Sequence, residues 1–491
     1  MPGVIEAKKR IIEASKKGQK IAIYADYDAD GICGAAILYK ALKDYFDEIK
    51  VVIPDRSEGY GLNKDAVEKM VKEKISLLIT VDCGIKNVAE IELAKKNSID
   101  TIVVDHHQLG EKLPKAIIVH PFLGKDLQFK YFSGGGVAFF LSKALSKKEG
   151  QEKWLLDLVA ISTIADMVPL VHDNRIIAKY GLLVLNKTKN MGLSKLMEIA
   201  NINKAGAYEV GYMIAPRLNA AGRISLPQKS FDLLINEDVK KIESDARELD
   251  QLNLQRQDLL KNGQRDVIEK IKKRGIDKGP FIVIETKFPE GVIGLIAGKI
   301  TQYFYKPSIV LSVRDGLYKG SARSIPGVNI TQLLKDCEHL LESFGGHEQA
   351  AGISIKKENL TKFKKQILKL SEKFDEKIFL KKLYIDALID IDKINISLAR
   401  NIEKLEPFGQ GNYKPIFAVE KASVRDIRYL GKSKDHLSFD LGGNKAIAFC
   451  FEEKCWKLEK VKLYDIAFSI EIDRWGGREK VKLIVEDVKE R

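Results

Sequence analysis

The sequence is short of the residues that lock a fold covalently or carry a chain into a membrane. Five of its 491 residues are cysteine, at 33, 83, 337, 450 and 455. An odd number without a Cys-x-x-Cys gives neither a disulfide framework nor a zinc knuckle. Cys450 and Cys455 read as core or edge packing. No apolar run, the one through Gly291–Gly298 included, approaches the roughly 20 residues that span a bilayer. The stretch Met1–Arg10 has no apolar core of a signal peptide. A cytoplasmic protein with no membrane partner is therefore expected. Histidine is scarce at seven residues, and two of those seven stand side by side. From Gln228 to Asn262 there is neither glycine nor proline.

What is present fits a large globular protein. Hydrophobic residues make up 45% and charged residues 31%, a profile that excludes a disordered chain. At this length one core is too few, and two or three domains are expected. The net charge of +14 suits a polyanionic partner and favours nucleic acid over a small phosphate ester. A lysine-rich surface of no functional meaning is the plainer explanation that composition alone leaves open.

Residues 20–24 read as a buried strand, followed by a helix starting near Gly31. The alternation repeats: strand 50–54 with helix 63–73, strand 76–81 with helix 86–96, and strand 100–104 with a loop. Strands alternating with helices imply parallel βαβ units and an open doubly wound sheet. Further helices are expected at about 134–148, 151–165 and 173–188. The charged, periodic stretch from Val239, with Ala246, Leu249, Leu252, Leu259 and Leu260, predicts a long helix ending near Lys273. A second α/β unit begins at Phe281 and runs through helix 291–300, strand 308–313 and a glycine-rich segment near 345–352. After a lysine-rich helix at about 359–374 come five short β-rich runs: 416–424, 436–441, 446–451, 466–472 and 480–485. They suit a small closed barrel of the OB type. The expected class is α/β: a parallel-sheet domain over 1–235, a long connecting helix over 236–275, an accessory α/β domain over 276–375 and an OB-like β-barrel over 376–491.

Three strands of the first domain run into acidic or imidazole residues. The first reaches Asp26-Tyr27-Asp28-Ala29-Asp30-Gly31, the third Asp82-Cys83-Gly84 and the fourth Asp105-His106-His107. Ligand sites in open parallel sheets form beyond the carboxyl ends of the strands, so these groups share one rim. Carboxylates crowded there cannot all stay ionised without compensation. Divalent cations with oxygen ligands supply it, and imidazole shifts the preference toward manganese over calcium. Asp166, an acid set among apolar residues, is a fifth candidate. Two ions bridged by one carboxylate can activate water and stabilise both oxygens of an in-line displacement at phosphorus. A single aspartate at a strand end is more simply a helix N-cap. Three such motifs on successive βα loops favour the metal reading.

These motifs, in this order, resemble the DHH phosphoesterase superfamily. Further strings narrow the resemblance to the RecJ family of single-strand-specific DNA exonucleases of bacteria. They are Pro216-Arg217-Leu218-Asn219-Ala220-Ala221-Gly222-Arg223, Gly320-Ser321-Ala322-Arg323-Ser324, Phe344-Gly345-Gly346-His347 and Glu406-Pro407-Phe408-Gly409-Gln410-Gly411-Asn412. The resemblance runs from about residue 5 to the end of the chain. It implies that residues 1–235 form the DHH domain, with Asp28, Asp30, Asp82, His106 and Asp166 as ligands of two Mn2+ or Mg2+ ions. Asp82 is the implied bridge, and Asp26 a ligand or the partner of one. His107 faces the scissile phosphate, and Asp82 and Asp105 count with it as catalytic. Arg223, Ser321 and Arg323 are implied to recognise a 5′ phosphate, with Asn219 in the same string, while His347 and its glycines approach the nucleic acid. A structural ion pair is the competing role for Arg223 and Arg323. For Arg56 and Tyr60 a strand contact competes with a plain surface turn.

The chain departs from the family in three places. Tyr24 stands where many DHH enzymes have a histidine, Phe288-Pro289-Glu290 stands where RecJ proteins often have Trp-His, and the Arg56-to-Tyr60 spacing is one residue short. The implied activity is 5′→3′ hydrolysis of single-stranded DNA in recombination and repair, with RNA left open. By family habit the protein is a monomer, and its partners are a single-strand-binding protein and a RecQ-type helicase. Two alternatives stand beside this reading. One is a DHH phosphodiesterase for short oligoribonucleotides or cyclic dinucleotides, which needs no barrel. The other is a replication scaffold that has lost its metals, against which the surviving carboxylates argue.

Overall fold

Strand β1 (Ile21–Ala25) has all five residues buried, and so has β3 (Leu77–Val81). Such two-sided burial is what a parallel strand covered by helices on both faces requires. With β2 (Ile49–Val52), β4 (Asp100–Val104) and β5 (Ile117–Val119) they form an all-parallel sheet in the order β2-β1-β3-β4-β5. The structure is a computed structural model that describes residues 1–314, 316–431, 434–449, 458–459 and 462–491. By internal packing the chain divides into two units, Met1–Val168 with Ile176–Lys381, and Pro169–Arg175 with Lys382–Arg491.

The first unit follows the βα alternation read from the sequence, with ends shifted by a few residues. The helix expected from Gly31 begins at Ala29, because Asp28 caps it by accepting hydrogen bonds from the Asp30 and Gly31 amides. β5 was not foreseen: it has three residues and no alternation to betray it. The long helix runs Val239–Arg274, capped by Asp238 and closed by Gly275 at φ 65°. Its buried Val267 and Ile271 pack with Val292, Ile296 and Ile300 of helix Glu290–Phe304.

The second sheet of this unit contains β6 (Ile282–Thr286), β7 (Ser308–Arg314), β8 (Leu317–Arg323), β9 (Ser343–His347) and β10 (Ala350–Lys356) in the order β6-β7-β8-β10-β9. The glycine-rich segment 345–352 is therefore the antiparallel pair β9 and β10. β8, which carries Ser321 and Arg323, was read only as a motif, since Lys319 and Gly320 mask its alternating burial.

In the second unit β11 (Ala387–Leu388), β12 (Phe417–Ser423), β13 (Arg425–Leu430), β14 (His436–Leu441), β15 (Asn444–Ala448), β16 (Leu463–Asp473) and β17 (Lys480–Glu490) form one sheet, ordered β11-β12-β16-β17-β15-β14-β13. Only Val424 separates β12 from β13, yet β12 pairs with β16 and β13 with β14. One bent strand thus joins both ends of the row and curls the sheet into a five-stranded barrel, with β11 added outside. Cys450, Cys455 and the end of the expected strand 446–451 lie outside the described residues. Residues 169–175, inside the range read as the first domain, pack with this unit: the Leu170 amide donates to Gln410 O at 2.7 Å, and Arg175 donates to the carbonyls of Lys404, Leu405 and Glu406. Among the described residues no helix is long and apolar enough to cross a membrane.

Ile296 is fully buried between the long helix and the second sheet. Ile296→Ala should lower unfolding stability by about 2–5 kcal/mol, read from the urea midpoint at constant slope. A loss below about 1 kcal/mol would show that the helix is not packed tightly there.

Candidate metal centre and anion pocket

The strand order places β1 between β2 and β3, so successive crossovers leave β1 in opposite directions. That reversal opens a crevice at the carboxyl ends of β1 and β3. Asp26, Asp28 and Asp30 follow β1, Asp82 follows β3, and Asp105, His106 and His107 follow β4. Asp166 caps the carboxyl end of helix Leu156–Ala165. Donor atoms of Asp30, His106 and Asp166 lie within 4.8 Å of one another, as do those of Asp26, Asp28 and Asp82, and those of Asp82, His106 and His107. The carboxylates and the His pair read from the sequence are thus gathered at one place.

The donor set fits divalent cations. His106 Nε2 and Asp82 Oδ1 are buried 3.1 Å apart without forming a hydrogen bond, and Asp26 Oδ1 is buried without a partner. Unpartnered buried acceptors are costly unless something absent from the protein satisfies them. Burial lowers the His106 pKa to about 3, helped by the charge of His107, so the imidazole is neutral and keeps a lone pair for a ligand. Burial raises Asp26, Asp82 and Asp166 well above the usual carboxylate range, and mutual repulsion adds to it. Asp30 is raised to about 7 by burial and by Asp28, although hydrogen bonds from Ser162, Gly135 and Gly134 oppose the shift. Asp82 has φ 59°, a left-handed conformation unusual for a residue with a side chain, stored at the middle of the cluster.

Several supporting residues escaped the sequence reading. Asp30 Oδ2 accepts from the Gly134 amide, and its Oδ1 accepts from the Gly135 amide and from Ser162 Oγ, at 2.7, 2.7 and 2.5 Å. A Cβ at 134 would stand 2.6 Å from Asp82 Cβ, and one at 135 would stand 2.5 Å from Ser162 Oγ, so only glycine fits. The run Ser133-Gly134-Gly135-Gly136 was the available signal. His120 Nε2 lies 2.8 Å from His107 O and steadies the His-bearing loop. Tyr24 does not reach the cluster. It is fully buried in the core beneath the opposite face, and its hydroxyl donates to Gly61 O at 2.9 Å, anchoring the loop that carries Tyr60.

Asp105 Oδ1 accepts from the His106 and His107 amides and from His107 Nδ1 at 2.8 Å, and its Oδ2 accepts from the Ile85 amide. Burial would raise its pKa, but the His107 hydrogen bond and charge hold it at about 2. Its carboxylate is spent on orienting the His pair. His107 is raised despite burial because Asp105 pairs with it. The Tyr60 hydroxyl donates to Asp82 O at 3.1 Å and lies 3.1 Å from the His107 ring nitrogens.

Beside this cluster is one of opposite sign. Arg56 stacks on Tyr27, 4.3 Å from the ring centre, and donates to Gly222 O. Arg223 is lowered to about 10 by burial and by Arg56, Arg256 and Arg323. Arg323 donates to Ser321 Oγ at 2.9 Å. Among the described residues Arg223 and Arg323 form no ion pair with a carboxylate. Gly291 brings the start of helix Glu290–Phe304 against Arg223, for a Cβ there would stand 2.2 Å from Arg223 O. Asn219 Oδ1 accepts from the Ala29 amide and so ties the helix bearing Arg223 to the Asp28 loop. His347 is within electrostatic reach of His107 and Lys86. Arg256, on the long helix, is an arginine the sequence motifs did not mark.

The raised carboxylates make a prediction about the protein without metal. They hold protons in the fold at pH values where the unfolded chain has released them, so stability falls as pH rises from about 4 through about 7. The melting temperature in EDTA should drop between pH 5 and pH 8, and Mn2+ should restore it most at pH 8. A melting temperature in EDTA that stays level over this range contradicts the uncompensated cluster.

Family models match the chain in three places: the DHH family N-terminal domain over residues 20–163, the DHHA1 domain over 278–373 and the RecJ OB domain over 385–487. The single-stranded-DNA-specific exonuclease RecJ of Bacillus subtilis is 36% identical over 499 residues; the alignment covers 99% of this chain and 63% of that protein. RecJ of Haemophilus influenzae is 31% identical, with 99% and 90% covered. The crystal structure of RecJ in complex with Mn2+ from Thermus thermophilus superposes with a TM-score of 0.89 at 30% identity, covering all of this chain and 72% of that one. The chain therefore belongs to the RecJ family of single-stranded-DNA-specific exonucleases, enzymes of the DHH type.

Proposed function

We propose that this chain hydrolyses single-stranded DNA from a phosphorylated 5′ end, releasing nucleotides in the 5′→3′ direction during recombination and repair. The observation that carries the reading is the unpaired arginine cluster beside the convergent carboxylates. Two ligand trios without a common residue, Asp30-His106-Asp166 and Asp26-Asp28-Asp82, support a pair of Mn2+ or Mg2+ ions, with Asp82 close enough to His106 to serve both. Such ions, when bound, lower the pKa of a coordinated water and offset charge at phosphorus.

The chain's own residues supply the rest. His107, protonated through its Asp105 partner, donates a hydrogen bond to a phosphoryl oxygen as charge develops there. Tyr60 holds that ring in place. Arg223, Arg323 and Ser321 receive the terminal phosphate, whose oxygens accept from the planar donor fork of a guanidinium, and Arg56 adds charge at the edge. His347 and its glycines on β9 let the backbone approach the nucleic acid. The barrel lends the downstream strand a second hold. The working unit of this proposal is a monomer. A single-strand-binding protein and a RecQ-type helicase are the proposed partners, since each presents or produces the single strand required.

Digestion of 5′- and 3′-labelled single-stranded DNA and RNA with Mn2+ or Mg2+ tests the reading. Stepwise release from the 5′ end of DNA is expected, while a ladder receding from the 3′ end, or cleavage of dinucleotides alone, would overturn it. Arg323→Ala should reduce the preference for 5′-phosphate over 5′-hydroxyl ends about 10-fold to 100-fold. Equal losses on both ends would put the phosphate elsewhere.

A further inference from the structure

One exposed feature of the first unit has no part in the site so far described. Helix Ala215–Ile224, which carries Asn219 and Arg223, is preceded without a break by the turn Ala207–Glu209 and a π-helical turn, Val210–Ile214. Single π turns recur at functional sites because the extra residue redirects side chains. Here Tyr208 and Tyr212 stand in solvent, 65% and 70% exposed. Their rings stack with centroids 4.8 Å apart and planes 29° from parallel. Each ring covers only one face of the other, so a broad aromatic face stays open to water.

Position connects this pair to the metal centre. A Cβ at Gly211 would stand 3.9 Å from Ile164 Cγ2, two residues before Asp166. Met167, directly after Asp166, is 68% exposed. At the other end of the same helical run Asn219 holds the Ala29 amide, and Gly222 meets Tyr27. One continuous run therefore passes from the tyrosines, along the carboxylates, to the arginine pocket. Seven residues separate Tyr212 from Asn219, roughly 10 Å along a helix axis. That is about three nucleotides of a stacked single strand at ~3.4 Å each.

We propose that the Tyr208–Tyr212 stack is a platform for a base of the substrate strand, a few nucleotides from the scissile bond on the side away from the arginines. The proposal rests on the function proposed above. Its chemistry favours a base over a phosphate: both rings are neutral, and the one charged side chain between them, Glu209, is turned back to accept from the Gly206 amide. Stacking on tyrosine tolerates every base, as a nuclease without sequence preference requires. The mutual stack holds the rings in place before the strand arrives, which lowers the ordering cost of binding.

The test uses the full-length protein with Tyr208→Leu/Tyr212→Leu and with Tyr208→Phe/Tyr212→Phe, which keeps the aromatic faces. With Mn2+, the Leu pair should raise KM for 5′-phosphorylated (dT)20 about 10-fold while kcat/KM on 5′-phosphorylated (dT)2, too short to reach the rings, changes less than twofold. The Phe pair should behave as the parent. Equal losses on both substrates, no loss on either, or a Phe pair as impaired as the Leu pair would each overturn the platform. Fluorescence anisotropy of labelled (dT)20 in EDTA separates this idea from the proposed function. Weaker binding by the Leu pair supports the platform even if the parent proves unable to cleave, and unchanged binding refutes it even if the parent cleaves well. Binding by the parent of an unrelated protein at these rings, with (dT)20 failing to compete, would assign the surface to another partner and end the proposal.

Discussion

The first unit is organised around negative charge that the protein does not neutralise by itself. Asp26, Asp30, Asp82 and Asp166 meet at one rim, where burial and neighbouring carboxylates, Asp28 among them in every case, raise the pKa of each. Such an arrangement survives in a fold only when a bound cation completes it or when protons take the cation's place. The glycines at 134 and 135, the Ser162 hydroxyl and the left-handed backbone at Asp82 hold the carboxylates close despite their repulsion. The fully engaged Asp105 does the same for the two histidines.

A few ångströms of helix set a cluster of positive charge beside this negative one. Asn219 fixes the helix Ala215–Ile224 to the Asp28 loop, and that helix ends with Arg223 against the start of helix Glu290–Phe304. The arginines from three separate segments, at 56, 223 and 323, repel one another as the aspartates do. Opposed clusters of unpaired charge, one calling for cations and the other for an anion, are the arrangement a phosphate chain satisfies at both places. Separate packing of the barrel unit leaves this geometry intact, because every residue in it belongs to the first unit.

Much of the architecture was legible because it follows from periodicity. Buried runs such as Ile21–Ala25 and Leu77–Val81 alternate with amphipathic helices, and parallel βαβ order follows from that alternation. The elements that escaped were short or disguised. β5 has three residues, β8 hides its alternation behind Lys319 and Gly320, and β13 continues β12 after a single bend at Val424. The segment 169–175 could not be seen to join the barrel unit, since its partners at 404–410 lie more than two hundred residues away.

The sequence by itself determined which residues could do chemistry. Asp-x-Asp-x-Asp-Gly, Asp-Cys-Gly and Asp-His-His at three strand ends bring oxygen and imidazole donors to one rim, because strands of a parallel sheet end on the same side. Tertiary structure alone decided what each residue does there. Tyr24 turns into the core and steadies a loop, Asp105 orients rather than ligates, and Ser162 and Gly134 support a carboxylate more than a hundred positions away. The reason is physical: a side chain's role depends on burial and on which donors face it, and both arise only when distant segments pack. The metal cluster could be foreseen from local spacing, whereas the pairing of each ligand with its support could not.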